Sequence, residues 1–125
     1  MKRIAIVEDN PDNRLLALAL LEGTYDCVEY ETGIEALEGL PESLPDLILL
    51  DISLPGMDGV ETLRHVRAHP ALGHLPVIAL TAHAMSGDRE KYLEAGFNDY
   101  VTKPIVDETI LLDAISRALE GVPSR

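Results

Sequence analysis

The sequence predicts a doubly wound α/β domain, a parallel five-stranded sheet with five helices, and two observations carry that expectation. Short apolar runs at residues 4–7, 47–50 and 77–80 show no polar alternation, the pattern of parallel strands covered on both faces. Each run is followed by a polar turn and then by a helical pattern, the strict alternation that builds right-handed crossovers on both sides of one sheet.

Taken in order, Asn10 can cap a helix because its side-chain oxygen reaches the free N–H groups of the first turn, and Pro11 suits the position where no N–H is needed. Residues 12–22 are rich in Leu and Ala, which propagate helix well, and Gly23 supplies the stop. Residues 25–30 read as a strand, 34–40 as a short helix ended before Pro41, and 58–68 as a helix stopped by Pro70. A fourth helix over 88–95 is closed by Gly96, and 99–102 is a short strand. Ile110, Leu111, Ala114, Ile115, Ala118 and Leu119 then recur at the spacing of one helical face.

The 125 residues are the size of one domain, with a core over about 2–120 and no repeat, low-complexity stretch or linker to mark a second or an effector module. The net charge of -12 repels a polyanion, and one Phe, four Tyr and no Trp leave few platforms for stacking bases, so nucleic acid is a poor partner. The apolar stretches at 4–7 and 15–21 are too short for a signal core or a membrane span, so no membrane association is expected and the chain is placed in the cytoplasm. Cys27 stands alone, which excludes an internal disulfide and fits a small buried hydrophobe.

In a parallel sheet of this kind the ligand site lies outside the carboxyl ends of the strands. Glu8 and Asp9 follow the first run, Asp51 the third strand, Thr81 the fourth and Lys103 the fifth, so residues far apart in sequence converge on one acidic pocket. Crowded carboxylates raise one another's pKa unless a cation neutralises them, and Mg²⁺, which takes one or two carboxylates and keeps several waters, suits Asp9 and Asp51 with a peripheral Glu8. The plainer reading is that each acid caps the helix after its strand. That accounts for Asn10 and Asp58, but not for Asp51 directly behind four apolar residues or for Lys103 fixed before Pro104.

The pair Glu8-Asp9, the stretch Asp51-Ile52-Ser53-Leu54-Pro55-Gly56-Met57-Asp58-Gly59, the pair Thr81-Ala82, and Tyr100 with Lys103-Pro104 resemble the receiver domain of two-component response regulators over nearly the whole chain. The resemblance implies a flavodoxin-like three-layer sandwich with strand order 2-1-3-4-5. It implies Asp51 as phosphoacceptor, Mg²⁺ held by Glu8, Asp9, Asp51 and the Ser53 carbonyl, Lys103 on the phosphoryl group, and Thr81 with Tyr100 as the switch. It further implies a cis peptide at Lys103-Pro104, and Ser53 and His83 as positions that set the lifetime of the phosphorylated form. Neither residue is acidic or an amide, so neither is placed to orient water and hydrolysis should be slow. The implied partners are a histidine kinase or histidine phosphotransfer protein as donor, and a target that reads the face of the fourth helix, fifth strand and fifth helix. Thr81-Ala82-His83-Ala84-Met85 is closer to single-domain regulators of the cell-cycle type and to receivers of hybrid histidine kinases than to the chemotaxis type.

Rival readings are weaker. A flavin-binding protein would need a first loop that cradles phosphate, and Glu8-Asp9-Asn10-Pro11-Asp12 repels one. A phosphohydrolase of the haloacid type would need a second Asp where Ser53 stands, so a signalling role is favoured over rapid turnover. The remaining alternatives are a degenerate receiver that binds without phosphorylation, although every phosphorylation residue is present, and a receiver cut from a hybrid histidine kinase. His65 and His69 lie one helical turn apart but lack a third ligand.

Overall fold

The computed structural model describes residues 1–82, 88–103 and 107–121. In chain order these form β1 (Arg3–Val7), α1 (Pro11–Leu21), β2 (Asp26–Tyr30), α2 (Gly33–Gly39), a 3₁₀ turn (Leu40–Glu42) and β3 (Leu47–Asp51). There follow α3 (Gly59–Ala68), β4 (Val77–Thr81), α4 (Asp88–Ala95), β5 (Asp99–Thr102) and α5 (Glu108–Glu120). All five strands are parallel, in the order β2-β1-β3-β4-β5. The doubly wound class and the strand order implied by the resemblance are both as expected.

Every residue of β3 and β4 is buried, because each strand alternately feeds two cores. Ala5, Val7, Ile48, Leu50, Val77 and Ala79 pack on one face with Ala36, Leu63, Val66 and Tyr92 from α2, α3 and α4. Ile4, Ile6, Leu47, Leu49, Ile78 and Leu80 pack on the other with Ala17, Leu21, Leu111, Ala114 and Ile115 from α1 and α5. Each fully buried Leu or Ile is worth about 1.5–3 kcal/mol relative to exposure, so these two faces supply the main driving force of the fold.

The helix ends follow the predicted chemistry with small shifts. Asn10 Oδ1 accepts from the N–H groups of Asp12 (2.9 Å) and Asn13 (3.1 Å), with Pro11 opening α1. Asp58 is the cap of α3 rather than its first residue, accepting from Glu61 N–H at 2.9 Å. Beyond Ala68, His69 turns to an extended conformation, as the residue before a proline is driven to do. The second helix ends at Gly39, and the chain tightens into the 3₁₀ turn that takes in Pro41, where the missing N–H costs nothing.

Two sequence expectations are corrected. Ile110 lies off the buried stripe of α5 and is 57% exposed, while Leu111, Ala114 and Ile115 are buried. Cys27 is only half-buried because β2 is an edge strand, and burial together with Asp26, Glu22 and Glu29 pushes its thiol pKa up.

The entry into α3 bears on the site. Gly59 N–H donates to the Ile52 carbonyl at 3.0 Å. A Cβ at Gly59 would overlap the Asp51 carbonyl oxygen and lie 2.7 Å from Ile52 Cα. Those are backbone atoms of the strand end that carries Asp51, and they cannot yield without displacing it. Gly59→Ala is therefore expected to destabilise the protein by about 1–3 kcal/mol, read as a lower urea midpoint at unchanged slope.

Candidate functional site

The last rungs of the ladder set the site. Glu8 N–H donates to the Tyr30 carbonyl (3.0 Å), Ile52 N–H to Leu80 (2.9 Å) and Lys103 N–H to Thr81 (2.7 Å), so the first residues past the strands are held by sheet hydrogen bonds. Asp51 pairs with Leu80 and Thr81 with Thr102 in register. Glu8, Asp51, Thr81 and Lys103 thereby share the carboxyl edge of the sheet, as the topology predicts.

The side chains of Glu8, Asp51 and Lys103 meet. Lys103 Nζ lies 3.0 Å from Asp51 Oδ1 and 3.1 Å from Glu8 Oε1. Ser53 N–H donates to Asp51 Oδ1 at 3.0 Å, and Asn10 N–H to Glu8 Oε2 at 3.2 Å. Glu8 and Asp51 are each 1% exposed, whereas Asp9 is open to solvent. Ligand oxygens of Glu8, Asp9 and Asp51 all lie within 4.8 Å of one another, and among the described residues this is the one group of three or more such side chains. Hard carboxylate oxygens at this spacing fit Mg²⁺.

Burial pushes the Glu8 carboxyl up to about 7, with Asp51 adding to the rise against the lowering bonds from Asn10 and Lys103. Burial alone would lower Lys103, but Asp51 and Glu8 outweigh it and hold the ammonium above its ordinary value. Glu8 is thus not peripheral, as the sequence led us to expect. It continues the β1 ladder and is buried against Lys103, while Asp9 faces outward.

Thr81 is 2% exposed, and its Oγ1 lies 3.0 Å from the Tyr92 hydroxyl. Tyr100 is half-buried beside Tyr92, with ring centroids 5.7 Å apart. His83, the loop over 83–87 and the Pro104 peptide lie outside the described residues. His69 Nδ1 accepts from Ala71 N–H at 3.0 Å, which commits it to the turn after α3 and leaves the His65–His69 pair without a metal geometry.

Two contributors escaped the sequence reading. Arg14 donates to the Glu8 carbonyl (2.9 Å) and pairs with Glu29 (3.0 Å), so it ties the loop bearing the acidic pair to β2. Tyr92 touches Thr81 from α4. The signal for Arg14 was a lone cation one turn into a helix behind two acids. For Tyr92 it was that three of the five aromatic residues fall between positions 92 and 100.

A doubly wound parallel sheet with a buried aspartate, an acidic pair and a lysine on its carboxyl edge defines an α/β protein built around an acidic pocket whose carboxylates could hold a cation. Residues 4–116 match the response regulator receiver domain, and the chain belongs to that family of two-component signalling. The polar-differentiation response regulator DivK of Brucella ovis is 43% identical over 105 residues, 83% of this chain and 85% of that protein. The receiver domain of the sensor histidine kinase PA1611 from Pseudomonas aeruginosa PAO1, solved with a magnesium ion coordinated in its active-site cleft, is similar at a TM-score of 0.85 and 38% identity, covering 95% of this chain and 98% of that one. The chemotaxis protein CheY4 of Vibrio cholerae, at a TM-score of 0.86 and 24% identity over 94% of this chain and 98% of that one, shares the fold. Among the described residues no helix is long and apolar enough to cross a membrane.

The raised Glu8 pKa has a definite sign. Between its ordinary 4.5 and about 7 the folded chain binds this proton more readily than the unfolded chain, so stability falls as pH rises through that window. In chelator, urea unfolding is expected to show that loss in the parent relative to Glu8→Gln, whose profile lacks the Glu8 contribution across the same interval. Arg14→Met should weaken Mg²⁺ binding in a titration, because the loop bearing Glu8 and Asp9 loses its side-chain bridge to Glu29 and keeps only the backbone bond from Glu8 to Tyr30.

Proposed function

We propose that this receiver accepts a phosphoryl group on Asp51 from a phosphohistidine, on a histidine kinase or a histidine phosphotransfer protein, and responds by changing a protein-binding face. The observation that carries the reading is the Asp51 carboxylate, 1% exposed at the end of β3 and held by Lys103 and Ser53 N–H beside Glu8 and Asp9. An Asp51 oxygen attacks phosphorus, the phosphorus–nitrogen bond of the donor breaks as the acyl phosphate forms, and the electron pair leaves with the imidazole.

Glu8, Asp9, Asp51 and the Ser53 carbonyl would hold Mg²⁺. That ion, when bound, supplies charge neutralisation to the phosphoryl oxygens. Lys103 offers its ammonium to the same oxygens, moving from a carboxylate pair to a phosphorylated one, and its burial strengthens the interaction. With Ser53 two residues past Asp51 no carboxylate stands ready there to activate water, which favours a long-lived signal over turnover.

The switch in this reading is Thr81 with Tyr100, and the readout is the face of α4, β5 and α5, where Ile110 offers an exposed apolar contact for a target. On α1, Leu15 is 66% exposed one turn beyond the acidic pair, an apolar footing for the donor. A cytoplasmic location goes with a phosphohistidine donor and with a lone thiol. A few charge-assisted contacts to the phosphoryl group, worth about 1–3 kcal/mol, fall short of the ~5.5 kcal/mol of a 1:99 to 99:1 inversion, so activation is graded.

Incubation with acetyl phosphate and Mg²⁺ is expected to add one phosphoryl unit to the intact mass, and neither Asp51→Asn nor the parent in excess chelator should gain it. A gain that persists in either would overturn the assignment.

A further inference from the structure

One side chain touches both Thr81 and Tyr100. Tyr92, in the middle of α4 and 6% exposed, places its hydroxyl 3.0 Å from Thr81 Oγ1 in a buried hydrogen bond. Its ring stands edge-on to Phe97, with centroids 6.1 Å apart and planes at 88°, and is tilted against Tyr100 at 5.7 Å and 50°. Among the described residues Thr81 is the one hydrogen-bond partner of the Tyr92 hydroxyl. One aromatic side chain thus touches the end of β4 through its oxygen and β5 through its ring, while its backbone belongs to α4.

A threonine hydroxyl has one proton to give, and phosphoryl oxygens only accept. If Thr81 donates to a phosphoryl group on Asp51, Tyr92 can keep its bond only by donating to a Thr81 oxygen that has moved. It must either follow, drawing α4 along, or be left buried without a partner, which is unfavourable. We propose, resting on the phosphoacceptor reading above, that Tyr92 is the latch of the resting state: its bond to Thr81 holds the unphosphorylated arrangement and passes any movement of Thr81 to α4 and to the Tyr100 ring. The latch couples a site on the sheet edge to the helix of the readout face through two contacts, one polar and one aromatic.

The test titrates beryllium trifluoride, a mimic of the acyl phosphate, into the full chain with Mg²⁺ present, comparing parent and Tyr92→Phe by amide chemical shifts. Removing the phenolic oxygen removes the resting bond and leaves the ring. The variant is expected to bind the mimic roughly two- to tenfold more tightly, the range of one net hydrogen bond. Its mimic-free amide signals over Asp99–Thr102 should already be displaced toward the parent's mimic-bound positions, which a merely structural loss would not produce. Parent-like affinity and parent-like resting positions would overturn the latch alone. A parent that gives no response to the mimic would overturn the phosphoacceptor reading and the latch with it. Should Tyr92→Phe not fold, the Tyr92 ¹³Cζ resonance of the parent decides: a shift on adding the mimic supports the latch, and a fixed resonance overturns it.

Discussion

The Lys103 ammonium between two buried carboxylates is the constraint around which the molecule is arranged. Burying any of these charges alone costs several kcal/mol, so the group is tolerable only if all its members arrive together. The parallel register delivers them: three strand ends supply Glu8, Asp51 and Lys103, and the contacts of 3.0 and 3.1 Å follow from where the ladder stops. Yet one ammonium cannot offset Glu8, Asp9 and Asp51, and Glu8, raised chiefly by burial and further by Asp51, takes up a proton more readily than an exposed carboxylate. The pocket is built with a deficit of positive charge, and its carboxylate oxygens are spaced so that a divalent cation could make it up.

Around this centre the frame is unequally braced. Arg67 reaches from α3 to the Gly96 carbonyl (2.8 Å) and the Asn98 side chain (3.0 Å), and Asn98 in turn accepts from Val77 N–H at 2.8 Å. Gly96, at φ 112°, gives the chain the left-handed turn that brings it there. The start of β5 is thereby pinned from α3 and β4. By contrast, α4 presents to the core mainly Tyr92, and its first-turn residues Asp88 and Glu90 are acidic, so the helix that carries the latch is held by less apolar surface than its neighbours.

How much of this was legible in the sequence depended on whether a feature is set by local pattern or by orientation. The runs 4–7, 47–50 and 77–80 announced buried parallel strands because nothing polar interrupts them, and their ends located Glu8, Asp51 and Thr81. Asn10, Asp58 and the prolines fixed helix ends to within a residue or two, since capping is a matter of adjacent backbone groups. Strand order was not derivable from periodicity and came through the resemblance. The misplacements, Glu8 as peripheral and Ile110 as buried, both concern which way one side chain points at the margin of an element. Tyr92 and Arg14 were missed for a related reason: their partners lie eleven and six residues away in sequence, and only the rotation of α4 and α1 brings them into contact.

The sheet's β2 edge has a consequence for how copies of the molecule meet. An edge strand offers unpaired N–H and C=O groups to any passing strand. Here Asp26 and Glu29 stand exposed along that edge, each already paired with an arginine of its own chain, in a molecule of net charge -12. Two such molecules approaching one another repel through their net negative charge before any backbone bond can form. This protection is electrostatic, so it has a range: about 8 Å at physiological ionic strength and about 3 Å at 1 M salt. Concentrated salt therefore removes the barrier to sheet-to-sheet association while leaving the buried pocket, whose charges are shielded by the fold itself, largely untouched.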